Sequence, residues 1–275
     1  MTISFLDKIN LIFDAYRSVS LMPPRKKINA LLCPVESTRY VEIPYILKFI
    51  KENPDLSLKK VLDVSSPYIF AYILVSKHGC DVLKTDINEN EKTYIKDSEK
   101  LRFQKEDGTR LSFAENSFDF VYSISVIEHI YGKFAEAFKE MVRVCRPGGI
   151  IYLSFPIAIE HVEEWITDDI YSDQHKQNGN FFFQYRFNQN DIKNILDSTQ
   201  NVEVLRQDYF VEKAAGTYDR MTASMRRRPK NKYLEHLKMA FLNVWYGFFL
   251  FSSKSAQEYP KKGEFGNISI ILKKI

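Results

Sequence analysis

Between residues 60 and 155 the chain alternates short unbroken apolar runs with stretches of helical spacing, which predicts a wound α/β sheet. The runs Lys60–Val64, Cys80–Thr85, Leu101–Glu106, Phe118–Ile124 and Ile150–Phe155 have the length and composition of buried strands. Val202–Phe210 and Asn267–Lys273 supply a sixth and a seventh. Pro67 to Lys77 reads as a helix, with Ser66 as its N-cap, Pro67 at the first helical position and Gly79 just past its end. Phe134, Phe138, Met141, Val142 and Cys145 recur at helical spacing and predict a core-facing helix over Lys133–Arg146, broken by Arg146-Pro-Gly-Gly149. A polar helix is expected over Glu91–Lys100 and another over Asn190–Ser198. Upstream, Phe5, Ile9, Ile12, Phe13 and Tyr16 mark an amphipathic helix from Ser4 to Arg17, ended by Pro23-Pro24. Pro44 suits the first position of a helix over Tyr45–Lys51, which Asn53-Pro54 closes.

Composition narrows the class. The 275 residues are 45% hydrophobic and 27% charged, enough to bury a full core without staples. A net charge of +4 is too mild to argue for nucleic acid as a partner. Cys33, Cys80 and Cys145 are scattered with no Cys-x-x-Cys pair, so no zinc site or redox dithiol is expected and a reduced, cytoplasmic setting is. Asp7 and Lys8 interrupt the N-terminal apolar stretch early, and no apolar run reaches the length of a membrane span.

The candidate chemistry sits where strands end. Open parallel sheets bind ligands outside the carboxyl ends of their strands. Strand, turn, helix, strand and acid from Lys60 to Asp86 form one right-handed unit. Asp86, followed by Ile87, stands about twenty residues past the turn, where one carboxylate can accept from both hydroxyls of a ribose diol. Asp107 and Ser125 close the third and fourth strands only one short connection apart. As an isolated dipeptide, Asp107-Gly108 would read as a plain turn.

The stretch Asp107-Gly-Thr-Arg-Leu-Ser-Phe-Ala-Glu-Asn-Ser-Phe-Asp-Phe-Val121, followed by Val126-Ile-Glu-His-Ile130, resembles the S-adenosylmethionine-dependent methyltransferases with a Rossmann-like fold. The resemblance spans roughly residues 39–155 plus the final strands. It implies a seven-stranded, mostly parallel sheet with its last strand reversed and helices on both faces. It implies S-adenosylmethionine as cofactor, held by Asp63, Ser65, Ser66, Asp86, Ile87, Asp107, Gly108, Thr109, Ile124 and Ser125. In that family the acid at Asp107 accepts from the adenine amine and the next amide donates to the ring. The family's glycine-rich turn is replaced here by Ser65, Ser66 and Pro67, whose proline lacks an amide donor. The hydroxyls and amides of Ser65 and Ser66 are expected to substitute for the bare backbone.

The resulting expectation is methyl transfer to a small-molecule acceptor, a sugar or other metabolite, at oxygen. His129 is the candidate general base, although a histidine after glutamate at this place is often structural or cofactor-adjacent in the family. A nicotinamide-dependent oxidoreductase is disfavoured because no Gly-x-Gly-x-x-Gly opens the first helix. A non-catalytic protein that kept the fold, membrane-associated as a scaffold, is the other alternative. The domain reading is a helical cap over 1–56 and a methyltransferase domain over 57–275, with insertions at 156–190 and 211–266. Phe181-Phe-Phe-Gln-Tyr185 either walls a substrate pocket or is core under a long loop. Met225 to Lys232 is strongly basic and leads into the apolar helical stretch Leu237–Phe251, which suggests either peripheral membrane contact over 225–251 or packing on the domain or a second subunit. Neither the oligomeric state nor the acceptor is legible in the residues.

Overall fold

The computed structural model describes residues 1–171, 174–226, 232–251 and 259–275. Three helices come first: α1 (Phe5–Ser18), α2 (Pro24–Leu32) and α3 (Arg39–Glu52). The wound region follows with β1 (Lys60–Val64), α4 (Tyr68–His78), β2 (Asp81–Asp86), β3 (Leu101–Lys105), β4 (Phe118–Ile124), α5 (Phe134–Val144) and β5 (Cys145–Ile157). Three small strands come next, β6 (Val162–Ile166), β7 (Lys176–Gln177) and β8 (Asn180–Arg186), then α6 (Gln189–Asp197) and β9 (Val202–Val211). The chain ends with α7 (Thr217–Arg226), α8 (Lys232–Trp245), which runs on as a π-helical turn over Tyr246–Leu250, and β10 (Gly266–Lys274).

Seven strands form one sheet in the order β3-β2-β1-β4-β5-β10-β9. β1 pairs in parallel with β2 on one side and β4 on the other, so the strand order reverses beside β1. β10 runs antiparallel to both β5 and β9 and is the one reversed strand of this sheet. Alternation along the strands divides the core. Val61, Phe120, Tyr122 and Tyr152 pack with α1, α3 and α4, whereas Leu62, Val64, Val121, Ile151 and Leu153 pack with α5 and α6. The seven-stranded Rossmann-like architecture is thus as the resemblance implied.

Several local expectations need correction. Pro44 lies inside α3, five residues past its start. The helix begins earlier because Tyr40, Val41 and Ile43 are buried on the sheet and Glu42 is anchored there. Pro67 itself takes the capping position of α4, and no side chain caps that helix. The polar stretch at 91–100 gives only a 3-10 segment, Glu89–Tyr94, because it has no apolar face to bury. Cys145 starts β5 directly after α5 instead of closing the helix. Gly149 allows that close passage: a Cβ there would lie 2.7 Å from the Cys145 Sγ and 2.9 Å from the Asp119 carbonyl. Among borders read correctly, Ser4 caps α1 in a reciprocal box with Asp7, and Gly79 ends α4 at φ +67°.

Candidate active site

The corner after β1 is wired from within. Asp63 is fully buried; its Oδ1 accepts the Ser66 amide at 2.8 Å and its Oδ2 the Tyr122 hydroxyl at 2.8 Å. Lys84 on β2 is 1% exposed, stands 3.5 Å from Asp63 Oδ2 and donates to the Ser66 carbonyl. The Ser66 hydroxyl accepts the Ile124 amide at 2.9 Å. Ser66 therefore spends its amide, hydroxyl and carbonyl on the protein, and the expectation that it faces a ligand is corrected. The cause is Lys84: a cation placed in a dry layer needs acceptors, and this corner supplies them. Burial pushes the Asp63 carboxyl up, while Lys84, Tyr122 and Ser66 pull it down. Ile124 is likewise committed, with its side chain fully buried and its amide used. Ser65 differs. It adopts φ +57°, the left-handed conformation for which glycine is the usual choice, and its hydroxyl bonds Asp86.

At the next two strand ends the groups are more open. Asp86 is partly buried, which raises its carboxyl, and it accepts the Asn88 amide at 2.8 Å. Ile87 beside it is 55% exposed, an apolar surface at the sheet edge. Asp107 is exposed and accepts both the amide (2.8 Å) and the hydroxyl (2.7 Å) of Thr109, which closes a tight polar turn. Gly108 passes close to β1: a Cβ there would meet Val64 Cγ1 at 3.3 Å.

The end of β4 carries residues the sequence reading missed. Ser125 also has a left-handed backbone, φ +48°. Its hydroxyl donates to Glu42 Oε1 at 2.8 Å and accepts from the Arg39 guanidinium at 2.6 Å. Glu42 is fully buried and also accepts from Arg39, Thr38 (3.1 Å), Ser154 (2.8 Å) and Asn267 (2.9 Å), so α3 is tied to β4, β5 and β10 through one carboxylate. Arg39 and this set of donors hold Glu42 below the usual carboxylate range despite burial. Glu128 is the opposite case. It is fully buried, and neither carboxylate oxygen has a hydrogen-bond partner. Burial drives its carboxyl well above the ordinary value. His129 Nδ1 lies 2.5 Å from the Phe183 carbonyl, which can only accept, so Nδ1 carries the proton and Nε2 the lone pair. Burial lowers the His129 pKa to about 4. Its ring packs against Tyr171 and Phe183. Of the aromatic run, Phe182 and Tyr185 are core, as one of the two expectations had it, and Phe183 packs on the His129 ring.

Lys84, Arg39 and Glu42 left one faint signal each, a charge at an inward position of an otherwise apolar run. Among the described residues no group of three His, Cys, Asp or Glu side chains is placed to hold a metal ion. The strand ends present groups that could hold a nucleoside: two accessible acids at β2 and β3, a left-handed corner at β1, and beyond β4 a buried carboxyl with no hydrogen-bond partner in reach, 4.0 Å from His129 Nε2. An orphaned buried carboxylate costs free energy unless something meets it.

Comparison with known proteins agrees. The family described as "Methyltransferase domain" matches residues 62–153. Sterol 24-C-methyltransferase erg6 of Aspergillus fumigatus is 34% identical over 80 residues, covering 29% of this chain and 19% of the relative. ERG6B of Gibberella zeae is 36% identical over 74 residues, 27% of this chain and 17% of the relative. The chain thus spans less than a fifth of the length of these curated relatives. Among solved structures, coclaurine N-methyltransferase bound to N-methylheliamine and SAH superposes with a TM-score of 0.52 at 14% identity, over 98% of this chain and 88% of that one. The segment that matches this family, residues 62–153, runs from β1 through most of β5 of the seven-stranded sheet.

Proposed function

We propose that this protein transfers a methyl group from S-adenosylmethionine to a small-molecule acceptor at an oxygen atom. The observation that carries the reading is the Glu128 carboxyl, buried without a hydrogen-bond partner just past β4 beside the end of the same sheet that presents Asp86 and Asp107. In this reading Asp86 takes the ribose hydroxyls, Ile87 lies along the base, and Asp107, with the Gly108 amide, addresses the adenine edge. Thr109 sets the Asp107 rotamer, and Ser65 opens the backbone beside the methionine portion. Ser125 acts through its hydroxyl bonds to Arg39 and Glu42, which fix the rim. When bound, the cofactor supplies an already activated methyl group on a sulfonium, so the protein's main task is to align donor and acceptor. His129 is uncharged at neutral pH, and its Nε2, 4.0 Å from Glu128 Oε1, carries the lone pair that can receive the proton of an acceptor hydroxyl. With a pKa near 4 it is a weak base, which leaves most of the rate to alignment.

One feature favours a second reading, a non-catalytic protein that retains the fold: Lys84 and Ser66 occupy the space under the β1 corner. Calorimetric titration with S-adenosylhomocysteine separates the two. Saturable binding that weakens at least ~10-fold in Asp86→Ala supports the enzyme. Absence of binding while the unmodified chain is folded by circular dichroism overturns it. NAD, titrated in parallel, is expected to give no saturable heat.

A further inference from the structure

The surface of α8 and of the turn that follows it carries an exposed apolar stripe. Leu237, Phe241, Trp245 and Phe249 recur at four-residue spacing and are 57%, 63%, 44% and 49% exposed. Their rings touch in series: Phe241 on Trp245 at 5.9 Å, and Trp245 on Phe249 at 5.0 Å. The stripe continues through Phe248 to Phe5 of α1, 61% exposed, at 5.4 Å. Helix α2 lies against α8 and ends in Leu31 and Leu32, 55% and 45% exposed, with Tyr16 of α1 bonded to the Leu31 carbonyl at 3.1 Å. Three helices therefore present large apolar side chains outward from the N-terminal and C-terminal segments, which meet here although more than 200 residues apart in sequence. Monomer surfaces seldom leave such a face bare without a use for it.

Charge decides between occupants. Arg17 is exposed in the last turn of α1, Lys27 follows in the first turn of α2, and in sequence Arg25, Lys26 and Lys27 stand together. In sequence, residues 226–238 hold six basic residues against one acid. A second copy of this chain would bring the same basic flank and be repelled by it. A negatively charged bilayer surface attracts it instead, because Lys and Arg beside Trp, Phe and Leu on a helix lying flat is the pattern of interfacial binding. Among the described residues no helix is long and apolar enough to cross a membrane. The arrangement serves for lying on a surface.

We infer that the face formed by α8, the end of α2 and the start of α1 docks the protein on an anionic phospholipid bilayer, with the Leu237–Phe241–Trp245 stripe entering the headgroup layer. The inference stands apart from the proposed methyl transfer and does not depend on it. Trp245 is one of two tryptophans, so Trp165→Phe leaves it as the reporter. The full chain is mixed with phosphatidylcholine vesicles, with or without about 30% phosphatidylglycerol. The expected result is co-sedimentation with the anionic vesicles, weakening as salt is raised to about 0.5 M, and a blue-shifted Trp245 emission quenched by brominated lipid. Leu237→Glu/Phe241→Glu is expected to lower partitioning by roughly 100-fold without altering far-ultraviolet dichroism, since both positions are exposed. Arg25→Glu/Lys26→Glu is expected to abolish the preference for the anionic vesicles. Should Trp165→Phe fail to fold, sedimentation of the unmodified chain and of the two double variants decides alone. Failure to sediment with either vesicle overturns the inference, as does sedimentation unchanged in Leu237→Glu/Phe241→Glu. So does a concentration-dependent dimer that the same variant disperses, which would make this face an interface between copies.

Discussion

Glu128 and His129 are neighbours in sequence whose surroundings push both toward the uncharged form, and each makes a measurable prediction. Because the folded Glu128 carboxyl titrates above its unfolded value, the folded state holds the extra proton, and its stability falls as pH rises above the ordinary carboxylate range. Glu128→Gln removes that penalty. Its melting temperature at pH 8 is expected to exceed the parent's by an amount worth about 1 kcal/mol or more, and the difference should shrink toward pH 4. A lower melting temperature at both pH values would show that the carboxylate has a partner after all. His129 has the opposite sign. Its folded pKa of about 4 lies below the unfolded value near 6.5, so the unfolded chain takes up the proton first and stability is lost as pH falls from 6.5 to 4. The ring keeps 22% of its surface in solvent, which screens part of the cost, and about 2 kcal/mol is expected over that window. Urea unfolding at pH 7 and pH 5 should show a shallower loss in His129→Gln. The site at this scale was half legible. Asp86 stands out because an acid at that strand end follows from spacing, and Asp107 because the family resemblance implies it. The commitment of Ser66 could not be foreseen, because Lys84 lies 18 residues away and only pairing of β1 with β2 brings it under the corner.

At the scale of elements, α3 is the piece on which the strand-end cluster depends. Arg39 and Glu42 reach Ser125, Ser154 and Asn267 on three different strands or their ends. Glu42→Ala leaves Arg39 buried without its carboxylate and is expected to cost about 3–5 kcal/mol, read from denaturant unfolding. The π-helical turn after α8 meets α3 so closely that only glycine fits at one point. A Cβ on Gly247 would fall 2.1 Å from the Tyr40 ring and 2.8 Å from the Ser37 carbonyl. Lys8 of α1, its pKa lowered to about 8 by burial, donates to the Gly247 carbonyl at 2.6 Å and pins the same turn. Gly247→Ala is therefore expected to destabilise by about 1–3 kcal/mol and to loosen α1 and α3 together. Hydrogen exchange should then rise in both helices; exchange confined to the turn would refute the coupling. Helix and strand identities were readable here because periodicity is local, and the run Phe118–Ile124 is as plain as any. The early start of α3 was not, since Arg39 and Glu42 look like surface charges until Ser125, Ser154 and Asn267 surround them.

For the molecule as a whole, the first three helices and the sheet share one apolar cluster that runs from Ile3 and Leu11 through Tyr45 to Phe120 and Ile271. A separately folding cap over residues 1–56 would leave that cluster open, so calorimetry is expected to show one cooperative transition for cap and sheet together. Two resolved transitions would restore the boundary. What the sequence by itself determined is the order of the seven strands of the main sheet with the helices α4, α5 and α6 among them, the reversed final strand implied by the family pattern, and the acids at the ends of β2 and β3. Those features are carried by neighbours in the chain, by apolar period and turn chemistry, which act over a few residues. Only the tertiary structure decided which charges are spent and which remain. It closed the serine–proline corner around Lys84, drew Arg39 and Glu42 onto the rim, buried Glu128 without a hydrogen bond, and assembled α1, α2 and α8 into one outward apolar face. Each of those outcomes joins residues far apart in sequence, and burial, which sets the cost of every unpaired charge, exists only once the chain has folded.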